Sequence, residues 1–189
     1  AFLAAGRKVF VKGKATVAAN FTNTTVDAVH VPQSMLEKFN AIAGGRDRVA
    51  ELFLGRYGKN RIEDLLPRQK GTLGVRWDYD GWSAGVRANF FGPTEYHSDT
   101  LVDDMDPSKG YLDESFDARA TFDVDVGYRI GELWWSVGAN NVFNTFPSEL
   151  KRPENRNSDS FLYSPASVPA GAPYGINGAF FYARVEFKH

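Results

Sequence analysis

Cysteine is absent from the 189 residues, so no disulfide and no thiolate metal site can contribute to the fold. Charge of one sign is also lacking in excess: 22 Lys and Arg stand against 23 Asp and Glu, a formal net charge of −1. That balance removes the electrostatic argument for a nucleic-acid partner, which needs a basic surplus to meet phosphates. No apolar run approaches the ~18–20 residues of a membrane helix. No secretory leader is read, because AFLAAG (1–6) is short and has no basic region ahead of it. Catalytic signatures are missing too. His30, His97 and His189 lie far apart in the chain, without His-x-x-x-His spacing, a Ser-His-Asp order or a Gly-rich phosphate loop. The expectation is therefore no enzyme, no catalytic residue and no cofactor. In DDMDPSKGYLDE (103–114) the spacing of Asp104, Asp106 and Ser108 suits calcium, but Lys109 stands where the turn glycine belongs and Ser115 takes the twelfth place. It reads as an acidic surface loop, and no metal is assigned.

What the chain has in quantity is alternation. GTLGVRWDYD (71–80) puts Leu73, Val75, Trp77 and Tyr79 on one face and Thr72, Gly74, Arg76 and Asp78 on the other. After Asp80-Gly81 the pattern resumes with Trp82, Ala84, Val86, Ala88 and Phe90 opposite Ser83, Gly85, Arg87 and Asn89. Asp-Gly between two such runs is a strong hairpin signal, since both turn residues tolerate positive φ. A second pair covers Phe122–Ile130 and Leu133–Asn140 about a Gly131-Glu132 turn. Single runs at Val9–Phe21 and Ala179–Lys188 complete six strands of period two. Three long connections, at 23–70, 93–119 and 144–177, fall at one end of these strands, and the two tight turns fall at the other. Within the first long connection, residues 34–39 and 47–57 have helical spacing and are expected to pack their apolar sides on the loop.

Alternation of this kind suits either a solvated sheet face or a membrane barrel, whose apolar side chains face lipid and whose polar ones face a lumen. Trp77, Tyr79, Trp82, Tyr128, Phe90 and Phe143 crowd the strand ends, as interfacial aromatics do. Arg76, Arg87, Asp123, Asp125 and Arg184 sit mid-strand, where a wet lumen would hold them. Six strands are too few to close, so the fold class expected is all-β: about six strands of a larger antiparallel transmembrane β-barrel, with long extracellular loops, the first containing short helices.

Three stretches resemble the C-terminal end of the TonB-dependent outer-membrane receptors: LLPRQKGTLGVRWDYDGWSAGVRANFFG (65–92), FDVDVGYRIGELWWSVGANNVFNTFP (122–147) and PYGINGAFFYARVEFK (173–188). The resemblance implies that 1–189 is the C-terminal part of a barrel of about 22 strands. The plug domain, the TonB box and the earlier strands would lie outside this chain. It implies a Gram-negative membrane protein, integral to the outer membrane, with its loops extracellular and its C-terminus periplasmic. Its function would be TonB-driven uptake of a scarce nutrient such as a ferric siderophore, an iron-transport role. The partners implied are the remaining barrel strands, the plug, the inner-membrane TonB complex, outer-membrane lipid and the nutrient ligand. Substrate contacts would come from Tyr96, His97, Arg152, Arg156, Phe161 and Tyr163 in the loops, while Arg76, Arg87, Asp123, Asp125 and Arg184 would face the lumen and plug. His189 stands where such barrels end on an aromatic residue. Two other functions fit the residues: a passive porin-like or structural barrel, and a soluble β-sheet binding domain.

Overall fold

The structure, a computed structural model, describes residues 3–4, 7–8, 12–26, 32–35, 37–38, 55–157 and 173–187. A two-residue pair, β1 (Leu3–Ala4) and β2 (Arg7–Lys8), precedes the first long strand, β3 (Lys14–Asn23). Helix α1 (Arg56–Glu63) follows, then β4 (Gln69–Tyr79), β5 (Trp82–Phe91) and the short β6 (Thr94–Tyr96). Next come a 3-10 turn (Pro107–Lys109), β7 (Glu114–Phe116), β8 (Arg119–Ile130) and β9 (Leu133–Asn140). The one-turn helix α2 (Pro153–Asn157) and strand β10 (Phe180–Phe187) close the described chain.

Six of these strands form one antiparallel sheet in the order β10-β9-β8-β5-β4-β3, and β6 pairs with β7 in a separate small ladder. Both tight turns are present. Asp80 (φ 47°) and Gly81 (φ 81°) carry the left-handed backbone that a two-residue hairpin needs, and Tyr79 pairs directly with Trp82. Gly131 (φ 62°) serves the β8–β9 hairpin, where Ile130 pairs with Leu133.

The register aligns the alternation across the whole sheet. Val17, Val75, Val86 and Val124 form one cross-strand row, and Ala84, Val126, Val137 and Ala183 form another. Every apolar set therefore shares a face. That face is exposed both on the outer strand β3, where Val17 is 65% exposed, and within the sheet, where Val86 is 53% and Val137 59% exposed. The chain exposes 13260 Å² in all, whereas a folded monomer of 21.0 kDa exposes about 9,000 Å².

The buried apolar core lies elsewhere, at the end of the sheet that carries the long connections. Leu65, Tyr96, Phe116 and Leu150 pack together there with Tyr57 against them. Each of the three connections supplies at least one of these side chains. Of the two helices expected in the first connection, the one at 34–39 is helical at 33–35 and 37–38; the one at 47–57 lies largely outside the described residues, and the helix that follows it runs from Arg56 to Glu63.

The barrel expectation is corrected here. Among the described residues the six strands make an open sheet whose outer strands, β3 and β10, pair on one side only. The fold is a mixture of open antiparallel sheets and short helices, not an all-β transmembrane barrel segment. The physical reason concerns the edges, since an unpaired strand edge in hydrocarbon leaves backbone donors and acceptors unsatisfied at several kcal/mol each. Alternation on its own cannot tell a lipid-facing surface from any other apolar sheet face. No helix among the described residues is long and apolar enough to cross a membrane, a statement that does not bear on strands.

Candidate functional site

The face opposite the apolar one carries the charges, and it is organised by glycines. At Gly85, Gly127 and Gly138, side chains on this face lean across a neighbouring strand that offers no Cβ. A Cβ on Gly85 would stand 2.4 Å from Asp125 Oδ1. A Cβ on Gly127 would stand 2.5 Å from the Trp134 ring, and one on Gly138 2.5 Å from the Tyr182 ring. Asp125, Trp134 and Tyr182 therefore lie flat over the backbone, and each lean requires glycine at the position beneath it.

This leaning brings Asp125 Oδ2 to 3.9 Å from Arg76 Nη1, while Arg76 Nε donates to Asp78 Oδ1 at 3.2 Å. Asp123 is directly opposite Arg87 in the β5–β8 register, yet the two form no ion pair. The oxygens of Asp123 are engaged by other donors. Its Oδ1 accepts the Asn141 backbone N–H at 3.0 Å and its Oδ2 accepts Asn89 Nδ2 at 2.9 Å. Arg184 donates to Glu186 at 3.2 Å on the outer strand.

These groups border a shallow groove of about 640 Å³ lined by Thr16, Asn20, Thr72, Arg76, Arg87, Asp123, Asp125, Asn140 and Tyr182 among others. A second hollow of about 420 Å³ shares Arg76, Asp125 and Tyr182 and reaches Arg184 and Glu186. Four of the five residues expected to face an interior thus line one groove, and the fifth, Arg184, lines its neighbour. The hydroxyl and amide side chains that complete the wall were not singled out from the sequence. Their signal was present, because Thr16, Asn20, Thr72 and Asn140 share strand parity with the charges.

The loop candidates sit at the far end and do different work. Tyr96 is buried in the small core, tilted against Tyr57 with ring centroids 5.6 Å apart. Burial raises its phenol pKa above the ordinary value, the largest influence on it. His97 Nε2 stands 3.2 Å from Glu95 Oε2, and its backbone N–H donates to the buried Asn60 Oδ1 at 3.0 Å. Arg152 donates its backbone N–H to Glu114 Oε2 at 3.3 Å, and Arg156 Nε donates to the Leu150 carbonyl. Phe161 and Tyr163 lie outside the described residues, as does His189. His97 and Arg152 border one hollow of about 300 Å³ with Glu95, Asp113, Glu114 and Lys151.

Two acids hold this end together. Glu114 is buried and accepts the Lys151 backbone N–H (2.8 Å) and Asn155 Nδ2 (2.9 Å) as well as Arg152. Asp113 takes both arms of the Arg56 guanidinium and the Ser98 backbone N–H at 3.0 Å. Burial pushes the Asp113 carboxyl up, but the Arg56 bonds and the Ser98 N–H outweigh it and hold the pKa below the ordinary value. The same pairing raises Arg56. In the acidic loop, Lys109 Nζ pairs with Asp103 at 2.7 Å, and Asp106 accepts the Ser108 N–H at 3.2 Å. Asp103 and Asp106 are engaged within the loop, and no group of three or more metal-ligating side chains occurs among the described residues.

Compared with known proteins, the chain matches no protein-family model, no curated protein and no solved structure. The resemblance to TonB-dependent receptors is therefore not sustained, and what it implied is corrected with it. Among the described residues the sheet is open at both outer strands and encloses no lumen, so neither the transporter pore nor the passive porin finds support in it. The implied partners lose their basis in the same way: the remaining barrel strands, the plug, the TonB complex, outer-membrane lipid and a transported nutrient. The outer-membrane placement and the siderophore role rested on the barrel and fall with it.

Proposed function

We propose that this chain is a β-sheet binding domain, non-catalytic, whose charged sheet face is the ligand-binding surface. The observation that carries this reading is the groove itself. Six strands converge hydroxyl, amide, guanidinium and carboxylate groups on one concavity of about 640 Å³. The leaning of Asp125 and Tyr182 over glycines gives these groups fixed positions, and prepositioned polar groups are what a recognition surface needs. The loop end supports the reading differently, because its ionic and amide groups bond chiefly to one another.

A panel of short polar peptides and small polar solutes, titrated into the full chain, tests the proposal. Binding is expected to weaken at least several-fold in Tyr182→Ala and Arg76→Gln and to be unchanged in the loop-end control Lys109→Gln. Ligands that ignore the sheet substitutions, or a panel with no binder, would overturn it.

A further inference from the structure

Arg87 belongs, with Lys14, Lys70 and Arg129, to the cations of the charged face that form no ion pair among the described residues, and of these it alone stands opposite an uncovered strand glycine. Arg76 pairs with Asp78 and Asp125, and Arg184 pairs with Glu186. Among the described residues Arg87 has no ion pair or hydrogen bond, and the oxygens of the acid opposite it are turned to Asn89 and the Asn141 N–H instead. The floor on its other side is also unusual. Arg87 faces Gly74, which faces Ala18 on β3. Unlike Gly85 or Gly138, Gly74 has no side chain lying over it: a Cβ there would meet only carbonyl oxygens, the nearest at 3.9 Å. A guanidinium with its five donors unused thus stands beside an uncovered notch floored by Gly74 and Ala18.

We infer that the Arg87 notch receives a single carboxylate side chain from a polypeptide laid across the charged face. This deepens the binding reading and rests on it. A carboxylate matches the planar fork of a guanidinium bidentately. One acid is expected, not several, because Asp123 and Asp125 offset the two arginines and a polyacid would meet their repulsion. The ligand is a polypeptide because the groove is broad and open, whereas a small solute needs a pocket that encloses most of its surface. The flanking Thr72 and Asn89 suit backbone amides on either side of the acid.

The test uses the full chain and fluorescence anisotropy of a rhodamine-labelled short peptide of Ser and Asn with one central Glu. Its central-Gln twin and inorganic phosphate serve as competitors. The Glu peptide is expected to bind about tenfold tighter than the Gln twin, the size of one charge-assisted bond. Arg87→Gln should abolish that preference, and Arg87→Lys should restore part of it. Circular dichroism should show the fold intact, since Arg87 bonds to nothing within the described chain. Equal binding of both peptides, still lost in Tyr182→Ala, would overturn the carboxylate notch and leave the binding face standing. Phosphate displacing the peptide at equal concentration would overturn the polypeptide assignment. Binding of neither peptide would overturn the notch, and only failure of the wider panel would remove the binding reading as well.

Discussion

On one side of the six-stranded sheet, Asp125 lies over Gly85 and Tyr182 over Gly138; on the other, Val86 and Val137 stand up from the same two strands more than half exposed. The charged face has bonded many of its own groups, filling the space over Gly85, Gly127 and Gly138 while Gly74 stays open, and leaves Arg87 among its unpaired cations. The apolar face has neither a core to enter nor a charge to repel a neighbour. An exposed apolar surface of this extent marks a place that another surface covers. One sheet therefore presents two kinds of surface, polar and largely bonded to itself on one side, apolar and exposed on the other.

The largest expected effect sets these faces directly against each other. Gly138→Val would drive a side chain into the Tyr182 ring and to within 2.8 Å of the Val124 carbonyl, a cost of about 3 kcal/mol. Its neighbour change Val137→Leu, on the open face, should stay within about 0.5 kcal/mol. Urea unfolding midpoints of the two variants measure the contrast, and equal losses would dissolve it.

Next in size is Asp123→Ala, which strands the backbone N–H of the buried Asn141 and should cost about 2 kcal/mol. If stability is unchanged, Asp123 is not the fixed acceptor described above, and Arg87 loses the reason for its isolation. Acid then separates the sheet from the loop end. The Asp113 carboxyl is held below its ordinary value in the folded state, so its contribution is fully present above about pH 4 and is lost as pH falls through the lowered value. Asp113→Asn should flatten the acid side of the stability profile measured by thermal unfolding. The effect is modest, because both partners of the Arg56 pair are about one-third exposed and solvent screens them. An unchanged profile would show that this pair does not couple to folding. The smallest effect belongs to Ser83→Ala. The Ser83 hydroxyl is buried without a hydrogen-bond partner, so its removal should be neutral or stabilise by up to about 1 kcal/mol.

How far the sequence could be read varied with the range of the interactions involved. The alternation at 71–91 and 122–140 reports strand identity and face directly, and Asp80-Gly81 reports its hairpin, because both are local properties of consecutive residues. Closure is not local. Nothing in Leu73 or Val86 says what meets an apolar face, and the barrel was an extrapolation from that face. The pairing of β6 with β7 and the joining of Leu65, Tyr96, Phe116 and Leu150 were hidden as well, since those contacts link three connections that read simply as loops. Arg76 and Arg87 look equivalent in the sequence, each mid-strand with an acid nearby. Only the register, which places Gly85 beneath Asp125 and Asn89 beside Asp123, makes one paired and the other free.

The strand order has a kinetic consequence. Each strand of the sheet pairs with the next long strand in the chain, so assembly can proceed outward from the two tight hairpins, which close on a microsecond scale. The long connections add only a logarithmic penalty, about 0.6 kcal/mol for each doubling of their length. Insertions at that end would slow folding little and leave the sheet register untouched. The loops can therefore change length and content at little cost to the groove, which is built wholly from strand residues.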